Sequence, residues 1–206
     1  ERFDANSYLT LTMAMDLFDL GDTAAELRAA MAPASCRWLV ISFTSDWLYP
    51  PFQSQELVDT LIALNKPVSY CNVRSDCGHD AFLLENDLAR YGEMIRAFLA
   101  QLHAPVAGRT KDRTAIEDAA GPSSIFHRRR MDYDTIVELI GRGTSVLDLG
   151  CGTGGLLCRL REDGHERLMG IELDERAILE CVRRGLNVIH ADLNNGLPDR
   201  KSTRLN

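Results

Sequence analysis

Hydrophobic positions along the chain fall into two patterned blocks separated by a polar stretch. In residues 6–18, Leu9, Leu11, Met13, Leu17 and Phe18 favour a helix over a strand, and Gly21 stops it. Residues 23–31 predict a second, Ala-rich helical stretch ended by Pro33. Residues 37–43, RWLVISF, are a nearly continuous apolar run with polar flanks, the pattern of a strand buried on both faces of a parallel sheet. Residues 53–64 are amphipathic, with Leu57, Val58, Leu61, Ile62 and Leu64 on or near one face, so they predict a helix covering that sheet. Residues 67–73 predict another strand, and 74–80 a polar loop. In 82–102, Leu83, Leu84, Leu88, Tyr91, Ile95, Phe98, Leu99 and Leu102 recur at helical spacing and predict a long helix. The order helix, strand, helix, strand, helix implies α/β with a parallel sheet.

From 104 to about 130 the apolar content falls and Pro105, Gly108, Gly121 and Pro122 interrupt, which reads as a flexible interdomain linker. Beyond it the pattern predicts a helix at 133–140 and a buried strand from Ser145. A glycine turn at 150–155 and a helix at 156–161 follow, then apolar runs at 168–171 and 187–191. The expected organisation is a first segment at 1–103, a linker at 104–130, a second segment at 131–198 and a tail at 199–206. Three strands of an open sheet leave a long unpaired edge in the second segment, so this chain is expected to bind a ligand weakly or not at all. The tail, DRKSTRLN, follows no strand or helix pattern and looks like the in-frame translation of a common DNA sequencing adapter. Residue 1 is Glu and not a start methionine, so the chain is expected to begin inside a longer one and, with an adapter-derived tail, to be cut at both ends.

Composition narrows the picture. The 206 residues carry a formal charge of -7, which argues against a nucleic-acid partner or an anionic membrane, and the basic run at 127–130 reads as solvated linker. A hydrophobic content of 45% suits a folded globular chain. The six cysteines form no C-x-x-C pair and no zinc-type spacing, so no metal is expected and the thiols read as those of a reduced, cytoplasmic protein. No apolar run approaches the roughly 20 residues of a bilayer span, and no signal peptide opens the chain.

The densest chemistry lies in VLDLGCGTGG, residues 146–155. Gly150, Gly152, Gly154 and Gly155 fit both G-x-G-x-G and G-x-G-x-x-G, loops that bring a ligand close to the main chain at a helix N-terminus. Asp148 decides between cofactors: a carboxylate there would repel a pyrophosphate but suits the ammonium of a methionyl group. Glu172, ending the second run, can accept hydrogen bonds from ribose hydroxyls, and Asp192, after the third, can reach an adenine amino group. Three acids at three successive strand ends point to S-adenosylmethionine. With GIELDE and NVIHADLNNGL, this stretch resembles the class I methyltransferase fold and, more narrowly, the MetW family. The resemblance covers about 131–198 and implies a partial Rossmann-like domain binding S-adenosylmethionine through Asp148, Gly150, Gly152, Gly154, Glu172 and Asp192. It does not establish methyl transfer.

In the first segment the polar loops after both strands contain Ser45-Asp46 and Cys77-Gly78-His79-Asp80. Strand carboxyl ends in an α/β sheet line one crevice, so Asp46 and His79 can converge. Acid then histidine is the order of the last two triad members in α/β-hydrolases, whose serine lies earlier on a G-x-S-x-G elbow that does not occur here. RFDANSYL, SFTSDWLYPP and GHDAFL look very like the C-terminal third of homoserine O-acyltransferase, an α/β-hydrolase-fold family. This resemblance covers about 1–102. It implies that Asp46 and His79 are the triad acid and base, that Asp80 holds the amino group of homoserine, and that acyl-coenzyme A and homoserine are the small-molecule substrates. Acetyl is favoured over succinyl as donor, and a homodimer is implied for the parent protein. Without the serine, this polypeptide alone is expected to be inactive. The leading reading is thus an acyltransferase end fused to a MetW-like start. The rivals are a methyltransferase with an accessory module, and a non-catalytic S-adenosylmethionine sensor that regulates the fused enzyme.

Overall fold

The computed structural model describes residues 4–103 and 131–196; the expected linker at 104–130 and tail at 199–206 lie outside the described residues. The first segment runs α1 (Ala5–Asp16), α2 (Ala24–Met31), β1 (Trp38–Phe43), α3 (Pro51–Ala63), β2 (Val68–Val73), a 3-10 turn (Gly78–Leu83) and α4 (Glu85–His103). The second runs α5 (Met131–Leu139), β3 (Val146–Leu149), α6 (Gly155–Glu162), β4 (Leu168–Glu172), α7 (Glu175–Arg183), β5 (Val188–His190) and a short 3-10 turn (Leu193–Asn195). Local sequence explains several helix starts. The Asp4 carboxylate accepts the Ser7 N–H, Thr23 and Glu26 form a reciprocal cap, and Pro51 opens α3 where its missing N–H costs nothing. The pattern of apolar runs passes over α7, whose Asp174 cap accepts the N–H groups of Arg176 and Ala177 and whose Ile178, Cys181 and Val182 are buried.

The described strands form one parallel sheet in the order β1-β2-β5-β4-β3. The parallel α/β architecture agrees with the sequence pattern, which gives no sign that both segments share a sheet. They meet where Tyr70 of β2 lies opposite Ile189 of β5. Side chains there take over part of the ladder. Ser69 Oγ donates to Leu186 O (3.2 Å) and accepts the Val188 N–H (3.4 Å), while the Asn72 N–H donates to His190 Nδ1 (3.2 Å). The core crosses the joint on both faces. One cluster gathers Tyr91, Met94 and Ala97 of α4 with Leu157, Leu160, Ile178 and Val182; the other gathers Met31, Val58, Leu61, Val68 and Tyr70 with Ile189. The edge that β5 would otherwise leave open is therefore covered by β2, and the outer strands are β1 and β3.

Burial departs from the sequence pattern at these outer strands. In β1 only Ser42 and Phe43 are buried, and on β3 Leu147 and Leu149 are about half exposed, because each strand pairs on one side only. In α4 the inward face is Asp87, Tyr91, Met94 and Ala97, while Leu88, Leu99 and Leu102 stay exposed, as does Leu84 just before the helix. Ser75 Oγ donates to the buried Asp87 carboxylate at 2.7 Å, on the same face as Tyr91, Met94 and Ala97, which pack in the core. No helix among the described residues is long and apolar enough to cross a membrane.

Ile189 is the second segment's buried contribution to the core under α2 and α3, with Met169 packed against it. Ile189→Ala is therefore expected to cost roughly 2–5 kcal/mol in urea unfolding. Leu139→Ala, at an exposed site, is expected to stay within about 0.5 kcal/mol. An equally small loss for Ile189→Ala would contradict the shared core.

Candidate active site and glycine loop

β1 and β2 are parallel and in register to their last residues, Phe43 opposite Val73, so the loops leaving them start side by side. These loops are tied together. Thr44 N–H bonds Val73 O, Thr44 Oγ1 donates to Ser75 O and accepts the Ser75 N–H, each at 3.0 Å, and the Gly78 N–H donates to Ser45 Oγ at 2.8 Å. Gly78 has φ +64°, a left-handed turn that a side chain would strain. The result brings Asp46 Oδ2 to 3.0 Å from His79 Nδ1, across 33 residues of sequence.

The other Asp46 oxygen accepts the N–H groups of Leu48 and Tyr49, both at 3.0 Å, so the carboxylate is fixed from two directions. The Tyr49 N–H first, with help from His79 and the Leu48 N–H, holds the Asp46 carboxyl below its ordinary range against the opposing effect of burial. The His79 ring is about one-third exposed and sits between the rings of Tyr49 and Phe82, at centroid distances of 5.1 and 5.3 Å. An imidazole bonded to a carboxylate through Nδ1 keeps Nε2 for proton transfer. Asp80 follows His79 in the 3-10 turn and is exposed. Neither Ser45 nor Thr44 has a role in the sequence pattern, although both are polar residues in the strand-end turn beside the acid.

In the second segment the turn after β3 folds back on β4, with the Gly150 and Cys151 N–H groups both bonded to Ile171 O. Gly150 and Gly152 have positive φ and open space where a Cβ would sit, so the main chain there is bare. Gly154 serves packing instead: a Cβ would lie 2.2 Å from Leu186 Cδ1. Glu172 reaches across, one oxygen accepting the Gly152 N–H (2.7 Å), the other those of Leu173 (2.7 Å) and Asp174 (3.0 Å). Burial, then the nearby Glu172 charge, pushes the Asp148 carboxyl up. Asp148, Gly152 and Glu172 are thus brought together. Asp192 is engaged with Asn194, backbone and side chain, and lines an open cleft of about 730 Å³ at the joint. That cleft is also walled by Phe52, Gln55, Asn72, Leu173 and His190, so Asp192 faces the first segment as well as its own.

Residues 130–206 match the family model described as "Methionine biosynthesis protein MetW". The chain is 46% identical to the bifunctional methionine biosynthesis protein MetXA/MetW of Rhodopirellula baltica, an alignment that covers 96% of this chain and 30% of that protein. It is 54% identical to a homoserine O-acetyltransferase of Methanosphaerula palustris (44% of this chain, 18% of that protein). It is also 46% identical to a homoserine O-succinyltransferase of Litchfieldella anticariensis (57% of this chain, 28% of that protein). The chain thus spans under a third of the length of these curated relatives. Both resemblances read from sequence motifs, to homoserine O-acyltransferase and to MetW, are found, with the MetW-like part in the C-terminal portion of this chain.

The lowered Asp46 value has a definite sign. The Asp46 interactions contribute stability above the ordinary aspartate value of 3.8 and lose it as pH falls through the lower, folded value. A carboxyl-carbon NMR titration is expected to give Asp46 a midpoint below 3.8, and Asp46 variants should lose that stability at neutral pH, the loss vanishing as pH falls through the folded value. A midpoint at or above 3.8 would contradict the geometry.

Proposed function

We propose that this chain is the junction of a methionine-biosynthesis fusion, joining the end of an α/β-hydrolase-type homoserine O-acyltransferase to the start of a Rossmann-like, MetW-type domain. The parent reaction is acyl-coenzyme A plus L-homoserine to O-acyl-L-homoserine plus coenzyme A, with acetyl favoured over succinyl. The observation that carries this reading is the 3.0 Å contact between Asp46 and His79.

The chemistry follows the triad logic. A serine supplied by the rest of the parent attacks the thioester, its proton passing through His79 to the departing coenzyme A sulfur. The homoserine hydroxyl then gives its proton to His79 and attacks the acyl-serine; His79 returns the proton to the serine oxygen. Asp46 fixes the imidazole tautomer and stabilises the imidazolium. Asp80, exposed beside His79, is suited to the ammonium of homoserine. The 206 residues contain no G-x-S-x-G elbow, which supports inactivity of this chain by itself. A homodimer of the parent is part of the same proposal.

For the second segment the reading is S-adenosylmethionine binding. The bare glycine backbone and the half-buried acid fit that group, with Asp148 toward the ammonium, Glu172 toward the ribose and Asp192 toward the adenine. When bound, S-adenosylmethionine supplies an activated methyl group. Glu172 would have to exchange backbone N–H partners for ribose hydroxyls. Binding therefore requires rearrangement of this loop, whether the domain methylates a substrate or acts only as a sensor.

In the full-length fusion, His79→Ala is expected to lower acyl transfer at least about a thousandfold. Near-normal activity would contradict the reading, as would O-acylhomoserine formation by the 206-residue chain alone. By calorimetry, S-adenosylmethionine binding to the fusion is expected to weaken in Asp148→Asn. In the parent it should strengthen as pH rises through the elevated Asp148 value, because only the ionised carboxyl attracts the ammonium. Binding that ignores both changes would remove Asp148 from the site.

A further inference from the structure

The loop that delivers His79 is held by a residue of the other segment. Arg74, the first residue after β2, has its N–H bonded to Glu175 Oε1 of α7 at 3.0 Å and its carbonyl bonded to Arg90 Nη1 of α4 at 2.6 Å. Arg90 Nη2 closes the ring on Glu175 Oε2 at 2.7 Å. One carboxylate, one guanidinium and the two backbone polar groups of Arg74 thus satisfy each other around the point where the histidine loop leaves the sheet. The next bonds continue the chain of contacts. Ser75 Oγ donates to Asp87, one turn from Arg90, the Cys77 N–H donates to Ser75 Oγ, and the Gly78 N–H donates to Ser45 beside the acid.

We infer that Glu175, contributed by the MetW-like segment, is a positioning residue for the His79 loop of the acyltransferase segment. The Glu175–Arg90 pair is partly exposed, and as an isolated ion pair it would contribute little. Its effect comes from fixing both polar groups of the Arg74 backbone at once, which sets the exit direction of the loop. Glu175 also lies three residues beyond Glu172, on the turn whose Leu173 and Asp174 N–H groups Glu172 holds. Rearrangement at Glu172 therefore reaches the clamp through a single short turn. Among the described residues, a second charge pair across the joint, Arg183 with Glu93 at 3.0 Å, touches no part of the loop. As a role in catalysis the inference rests on the acyl-transfer reading; as a mechanical statement about the loop it does not.

Amide hydrogen exchange in the 206-residue chain tests it. In Glu175→Ala the Cys77 and Gly78 amides, which do not touch Glu175, are expected to lose protection about tenfold. Glu175→Gln, which keeps an acceptor for the Arg74 N–H, should restore most of it, and Glu93→Ala should leave it unchanged. Unchanged Cys77 and Gly78 protection in Glu175→Ala would overturn the inference. So would an equal loss in Glu93→Ala, since the loop would then respond to docking in general. In the full-length fusion, Glu175→Ala should lower kcat for acyl transfer with KM for homoserine little changed, and Glu175→Gln should recover it. If His79→Ala leaves the fusion active, the acyl-transfer reading fails while the exchange result still decides the clamp.

Discussion

Parallel strands put their carboxyl ends on one edge of the sheet, and the contact between Asp46 and His79 depends on that alignment. With Phe43 opposite Val73, two loops far apart in sequence begin side by side, and short polar bonds through Thr44, Ser45 and Ser75 keep them so. A one-residue slip of β2 against β1 would shift the start of the histidine loop by about 3.3 Å and turn its side chains to the opposite face. The register is thus a condition for the chemistry as well as for the fold. Asp46 adds a second constraint, because both of its oxygens are engaged and its orientation is over-determined.

The same alignment governs the second segment, and the joint carries it across. β5 continues the parallel sheet beyond β2, so the glycine loop, Glu172 and Asp192 open on the edge that also presents Asp46 and His79. Apolar packing on both faces makes the joint a continuation of the core. The ladder itself is short, and Ser69, Asn72 and His190 supply polar contacts where regular pairing ends. That arrangement leaves a cleft lined from both segments, next to the carboxylate expected to face adenine. It also lets α7 reach the loop of the first segment.

Much of this was legible in the sequence because the signals are local. Apolar runs mark the strands, Gly150 and Gly152 mark a bare turn, and Ser45-Asp46 and Gly78-His79 stand directly after their strands. What escaped is set by distant partners. α4 turns Asp87, bonded to Ser75, inward together with Tyr91, Met94 and Ala97, so its leucines suggest the wrong inward face. The half-exposed β3 follows from its place at the sheet edge, which no run of hydrophobic residues reveals. The β2–β5 pairing joins residues more than a hundred positions apart, and Glu175 acquires its contacts only once that pairing exists. An Asp at 174 followed by Ala177, Ile178, Cys181 and Val182 is the local signal of α7, a cap and an apolar face at helical spacing.

The most direct test of the central claim is the tautomer of His79, read from nitrogen-15 NMR of the imidazole in the 206-residue chain at a pH where the ring is neutral. An acid that orients the base predicts a proton on Nδ1, hydrogen-bonded to Asp46, and a bare Nε2, with that preference lost in Asp46→Asn. A neutral ring protonated on Nε2, or a spectrum that Asp46→Asn leaves unchanged, would contradict it.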